Sequence, residues 1–239
     1  VRSRGLGDVY KRQTYVTGMA VVKTCETLRK KICERGAEYL GCSPDDVEFD
    51  GEKVVNLKTK EEITRKEIGN KVMCSSNAPL SATEAFSSPV SPPPFMVGIA
   101  EVEIDKETGV VEPIDYAAVV DCGTVVNPNL ARVQTEGGIA QGIGMALYED
   151  IIYSEKGKNY SNSFMQYKIP SRLDVGEIRV EFESSYEPTG PFGAKSIGEI
   201  VINTPSPAIS NAVQNAVGVI VRELPITAEK VYKGMAEKE

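Results

Sequence analysis

Apolar residues recur at helical spacing through residues 17–40, at Val21, Val22, Cys25, Leu28, Ile32, Ala37 and Leu40, and predict one long amphipathic helix. Gly41 stands where such a helix would close in a left-handed cap. Short strand-like pieces follow at 47–49 and 54–57, around an Asp50-Gly51 pair suited to a tight hairpin turn. Residues 87–94 (SSPVSPPP) read as a loop, because proline lacks the backbone donor that helices and central strands require. That loop divides an N-terminal sub-region, 14–86, from a larger one, 95–235.

Beyond it, residues 98–104 and 110–120 alternate in character and are joined by the turn-like 105–109 (DKETG), which predicts a second hairpin. Residues 137–148 read as a glycine-bearing helix, 151–153, 164–169 and 178–183 as strands, and 208–217 as a helix closed by Gly218. Strands and helices do not alternate regularly and no internal repeat is visible. The expected fold class is therefore α+β, with mixed sheets and packed helices over 14–235. Residues 1–13 (VRSRGLGDVYKRQ) lack any apolar periodicity; they read as a cloning or assembly scar, or as a frayed terminus, and 236–239 as a tail.

Composition narrows the chemistry more than the class. A chain of 239 residues, 41% hydrophobic, can bury a full core. The net charge of −7, with no stripe of Lys and Arg, argues against nucleic acid. There is no run of eighteen apolar residues and no apolar leader segment, so no membrane span is expected and the chain is read as cytoplasmic. The five cysteines (Cys25, Cys33, Cys42, Cys74 and Cys122) are odd in number and widely spaced, which argues against a disulfide framework or an iron–sulfur cluster. Histidine is absent, and with it the commonest metal ligand, the commonest general base and every Ser-His pairing. Any chemistry must rest on carboxylates or on a bound cofactor, and no residue is assigned as a direct metal ligand.

Two segments stand out. In residues 134–144 (QTEGGIAQGIG), the glycines Gly137 and Gly138 would let backbone approach a bulky ligand, and a helix start there would offer N–H groups to an anion. Gln134 and Gln141 lie seven residues apart, close to two helical turns, and so share a face. Close helix packing through glycine is the competing explanation. In residues 190–199 (GPFGAKSIGE), three glycines and a proline lead to Glu199, which is followed by apolar residues. Burial there would raise the Glu199 pKa and suit it to accept a proton, whereas a simple helix cap would need neither.

Taken in order, DCG, NP, QTEGGIAQGIGMALYED, YKIPS, GPFGAKSIGE, SPAISNAVQNAVG and RELPITAEKV resemble the final domain of molybdenum hydroxylase large subunits, the xanthine dehydrogenase and aldehyde oxidase family. The resemblance runs from about Thr14 to Val231. It implies a molybdenum–molybdopterin cofactor, in its simple or cytosine dinucleotide form. Glu199 matches the family's catalytic base and Gln134 its amide at the molybdenum site, with Gly137, Gly138 and Gln141 in the surrounding cofactor-contact motif. Lys195 and Ser196 would be structural parts of the loop that presents the base. The implied reaction is oxidative hydroxylation of a purine such as xanthine or hypoxanthine, or of a related N-heterocycle, with an aldehyde substrate as the alternative. No cluster ligands or nucleotide fingerprint occur in this sequence, so iron–sulfur and FAD subunits are the expected partners. The family's large subunits are much longer and the match begins abruptly at Thr14, which points to a truncated, catalytically incomplete piece or to a subunit-association module.

Overall fold

In the computed structural model the described residues are 13–75, 79–88 and 90–237. Most of the expected scar (1–12), one residue of the Pro-rich loop (89) and the end of the tail (238–239) lie outside them. The chain divides into two compact units, residues 16–88 and residues 13–15 with 90–237.

The smaller unit begins with helix α1 (Gly18–Leu40), which ends on Gly41 at φ 69° as the spacing predicts. The hairpin of β1 (Val47–Phe49) and β2 (Lys53–Asn56) gains a third antiparallel strand, β3 (Glu62–Thr64). Helix α2 (Arg65–Met73) then starts on a reciprocal capping box, in which Thr64 and Glu67 satisfy each other's backbone N–H. Val54, Ile63, Ile68 and Val72 form this unit's buried core.

The larger unit is built on a mixed sheet. β4 (Phe95–Ile104) and β5 (Val111–Asp121) form the expected antiparallel hairpin, and β6 (Glu177–Glu183) joins β5 in parallel. A register shift between Glu101 and Val102 leaves Ile114 outside the pairing, beside Pro113, a residue that could not have donated to the ladder. Among the described residues, four α-helices complete the unit: α3 (Pro128–Leu147), α4 (Ile200–Asn203), α5 (Pro205–Val217) and α6 (Ala228–Ala236). Ile139, Ile143 and Ala146 on α3 pack with Tyr116, Ala118, Val180, Ile209 and Val213 in one buried cluster, each large side chain contributing about 1.5–3 kcal/mol of burial. The fold is α+β, as expected from the sequence.

Two local expectations fail. The expected strands at 151–153 and 164–169 do not form; only an isolated bridge between Tyr153 and Asn159 marks that region, which is otherwise turns and bends. Short apolar runs satisfy a strand pattern, yet no sheet edge accepts them here. The glycine-rich stretch 134–144 is also not a helix start, because α3 begins at Pro128 with Asn127 as its N-cap. The side chain of Asn127 accepts the Leu130 N–H at 3.1 Å, and Pro128 sits at the first position, where a missing N–H costs nothing.

Candidate functional site

Three pieces of the larger unit, with Thr14 beside them, converge on one open cavity of about 740 Å³. The end of β5 and the turn after it contribute Cys122, Thr124 and Val126; the start of α3 contributes Asn127, Leu130, Ala131 and Gln134; the 190–199 loop contributes Lys195, Ile197 and Gly198. The volume falls in the range of small-molecule and cofactor sites.

The position of the 190–199 loop follows from the glycines of α3. Gly138 is buried against Val201: a Cβ built there would stand 2.1 Å from Val201 Cγ2. Helix α4, which begins immediately after Glu199, can therefore lie directly on the helix that carries Gln134. Across the same contact, Gln134 Nε2 donates to the Gly198 carbonyl at 3.3 Å. Sequence spacing alone does not bring these residues together; close packing at Gly138 does.

At its other end the loop is laced to the end of β5. Lys195 N–H donates to the Cys122 carbonyl at 2.7 Å, Thr124 N–H donates to the Gly193 carbonyl at 2.8 Å, and Gly123 bridges Ala194. Gly123 has φ 71°, and a Cβ there would stand 2.3 Å from the Gly193 oxygen, so only glycine fits the crossing. Lys195 Nζ pairs with Asp121 Oδ2 at 2.8 Å. Asp121 Oδ1 accepts from Ser185 Oγ at 2.6 Å and from Gly123 N–H at 2.9 Å. Burial pushes the Asp121 carboxyl up, but Lys195, Ser185 and Gly123 outweigh it and hold the group below the usual aspartate range. Burial and the neighbouring Asp121 push the Cys122 thiol up.

The sequence-derived residues fare unevenly. Gln134 lines the cavity, and Glu199 follows the last lining residue, Gly198. The Glu199 side chain is exposed rather than buried, a correction to the expected enclosure. Enclosure depends on whatever stands opposite a loop, which the ten residues around Glu199 do not encode. Nor does Glu199 cap α4, although it occupies the N-cap position. Gly137 is exposed, with nothing within 4 Å of where its Cβ would be, whereas Gly138 and Gly142 are filled by Val201 and Pro205. Packing thus accounts for two of the glycines. Gln141 is exposed and is not among the cavity's lining residues. The helix N-terminus is at Pro128, preceded by the cavity-lining Asn127, and not at 134–138.

Asp121, Cys122 and Asn127 fall within the DCG and NP motifs, yet sequence reasoning gave them no individual role at the site. The Asn-Pro pair was a legible signal, since together they form a helix N-cap and first position. Asp121 was not legible, because its partner lies 74 residues away.

The donor set decides what kind of group could sit here. The cavity is lined by the side-chain amides of Asn127 and Gln134, the hydroxyls of Thr14 and Thr124 and the Lys195 side chain, and among the described residues no cluster of His, Cys, Asp or Glu could hold a bare metal ion. Such a site suits a metal carried on its own organic ligand, with the protein supplying hydrogen bonds to that ligand. The fold and site therefore define a cofactor-binding module.

Comparison with known proteins gives that class a family. Residues 10–176 match the family model described as molybdopterin cofactor-binding domain. The chain is 34% identical over 227 residues, 93% of its length, to a probable hypoxanthine oxidase of Escherichia coli K12, of which it spans 23%. It is 30% identical over 237 residues, 95% of its length, to the gamma subunit of the 6-hydroxypseudooxynicotine dehydrogenase complex of Paenarthrobacter nicotinovorans, of which it spans 30%. Among solved structures, the Cu,Mo-CO dehydrogenase in its carbon monoxide-reduced state superposes with a TM-score of 0.81 at 25% identity, covering 95% of this chain and 30% of that one. This chain belongs to the molybdopterin cofactor-binding domain family, and it spans less than a third of the length of these relatives.

Proposed function

We propose that this chain forms the part of a cytoplasmic molybdenum hydroxylase that holds the molybdenum–molybdopterin cofactor and supplies the base, and that the enzyme acts on a purine of the hypoxanthine or xanthine type. The observation that carries the reading is the convergence of Gln134 with the Gly198-Glu199 segment at one cavity of cofactor size. Molybdenum–molybdopterin, when bound, supplies the two-electron chemistry by which a substrate carbon gains an oxygen from water.

The chain's own residues do the rest. Gln134 keeps one amide hydrogen on the Gly198 carbonyl and has a second, together with its carbonyl oxygen, available toward the cavity. The amide thus both fixes the loop and offers a hydrogen bond to the cofactor. Glu199 Oε accepts the proton released as the oxygen is transferred, and returns it to solvent. Gly137 and Gln141 extend the exposed face of α3 beyond Gln134, while Gly138 sets the distance between helix and loop. The exposure of Glu199 fits a base whose cover comes from another part of the enzyme. The purine assignment rests on the relative named a probable hypoxanthine oxidase. The relative named as a complex subunit supports assembly with partner subunits, which we assign as iron–sulfur and FAD carriers.

The test is anaerobic reduction of the molybdenum-loaded enzyme by hypoxanthine, xanthine, a monocyclic N-heterocycle and an aromatic aldehyde, each followed spectroscopically. Purines should reduce it fastest. Reduction by the aldehyde alone would assign the alternative substrate class, and a preparation whose cofactor content does not depend on this chain would overturn the cofactor-binding role.

A further inference from the structure

We propose that the Asp121–Lys195 ion pair is a positioning device, a clasp that fixes the 193–199 loop so that Glu199 stands at a set distance from Gln134; the inference rests on the reading of Glu199 as the base. Both members are partly enclosed, with side-chain exposures of 19% for Asp121 and 11% for Lys195; in the Arg179–Asp115 pair the carboxylate is equally covered at 19% but the cation is 61% exposed.

Lys195 is held twice. Its ammonium meets Asp121 Oδ2 at 2.8 Å, and its backbone N–H meets the carbonyl of the next residue, Cys122, at 2.7 Å. Asp121 cannot swing to follow a displaced lysine, because its other oxygen is taken by Ser185 Oγ and Gly123 N–H. The Phe95 ring, with its centroid 5.6 Å from Nζ, closes another side. Only Ser196 and Ile197 separate Lys195 from the second anchor, the Gly198 carbonyl that accepts from Gln134. With both ends fixed, so short a connection leaves the backbone at Glu199 little freedom.

An enclosed ion pair is a poor choice if stability alone were served, since desolvation offsets much of the attraction and an apolar contact would do as well. What the pair provides is direction: among the described residues the ammonium of Lys195 has its ion pair at Asp121, with Glu187 adding a weaker attraction. Lys195 also borders the cavity, so a rival role, direct action of its charge on a ligand, must be separated from positioning.

The variants Asp121→Asn, Lys195→Met, Lys195→Arg and Glu199→Gln separate them. In this chain, hydrogen exchange at the amides of residues 194–199 should quicken by about tenfold or more in Asp121→Asn and Lys195→Met, with helix α3 still protected, as expected for local opening. Lys195→Arg should restore most of the protection, and Glu199→Gln should leave it unchanged. Equal loss of protection in α3 would make the pair a general stability element and end the proposal, as would wild-type exchange in Asp121→Asn. In the loaded enzyme, both pair-breaking variants should lower kcat by about 10- to 100-fold, the scale of a misplacement of order 1 Å, with KM within about twofold of wild type. Combined with Glu199→Gln they should add no further loss, because their effect runs through that residue. An additive loss, or a defect in Lys195→Met without one in Asp121→Asn, would assign the role to the ammonium itself and overturn positioning. If Glu199→Gln alone turned over at the wild-type rate, the base assignment would fail on its own, and loop exchange would still decide whether the pair fixes the loop.

Discussion

Gln134 and Gly198, 64 residues apart in sequence, are joined by a 3.3 Å hydrogen bond from the side-chain amide to the backbone carbonyl. The bond ties the helix that carries the amide to the loop that carries Glu199, one residue further on. A neutral bond of this kind contributes about 0.5–1.5 kcal/mol, so its weight lies in geometry rather than in stability.

Glu199→Gln keeps the shape of the side chain and removes the proton acceptor. Reduction of the loaded enzyme by substrate should slow by about 10²–10⁴, the usual contribution of general base catalysis. Molybdenum content should stay near wild type. Stopped-flow reduction and metal analysis on the same sample read both quantities, and a wild-type rate would show Glu199 to be a structural residue.

The two adjacent glycines of α3 should respond in opposite directions. Gly137→Ala enters open space in a helix interior and should stabilise by about 0.5–1 kcal/mol. Gly138→Ala would place Cβ 2.1 Å from Val201 Cγ2 and should destabilise by about 1–3 kcal/mol, while moving α4 and Glu199 away from Gln134. Urea unfolding of the two variants checks the signs.

Stability should fall in acid partly through Asp121. Its carboxyl is held below the usual range in the folded chain, so the folded state favours the ionised form. That contribution is fully present above the unfolded pKa of about 3.9 and is lost as pH falls through the lower folded value. Asp121→Asn should therefore lower stability at neutral pH and flatten its decline below about pH 4, where the carboxyl of the unfolded wild-type chain begins to take up a proton that the folded chain still excludes. Thermal melts across that range provide the test.

Cys122 borders the cavity but should not bind the metal. Burial and Asp121 raise its pKa and so disfavour the thiolate, the form that ligates, and among the described residues Cys122 stands in no cluster that could hold a metal ion. Cys122→Ala in the loaded enzyme should leave molybdenum content unchanged; a stoichiometric loss of the metal would make the thiol a ligand.

Local pattern was enough for several elements. The helix closed by Gly41, the hairpin around Asp50-Gly51, the long hairpin of β4 and β5 and the helix ending at Gly218 each carry their signal within a few residues, in apolar period, turn chemistry or cap. The signals that marked Thr64-Glu67 and Asn127-Pro128 as helix starts were present too, and the glycines downstream drew the start of α3 too late. The resemblance motifs likewise singled out Gln134 and Glu199 as candidates. Their arrangement belonged to the tertiary structure. Whether Glu199 is enclosed, whether Gly138 faces a ligand or Val201, and whether Lys195 finds Asp121 all depend on contacts between segments roughly sixty or more residues apart. A chain encodes its turns and caps in adjacent residues because those interactions are satisfied locally. It encodes burial and charge pairing only through the fold, because these depend on which distant surface arrives opposite and on how much water that surface excludes.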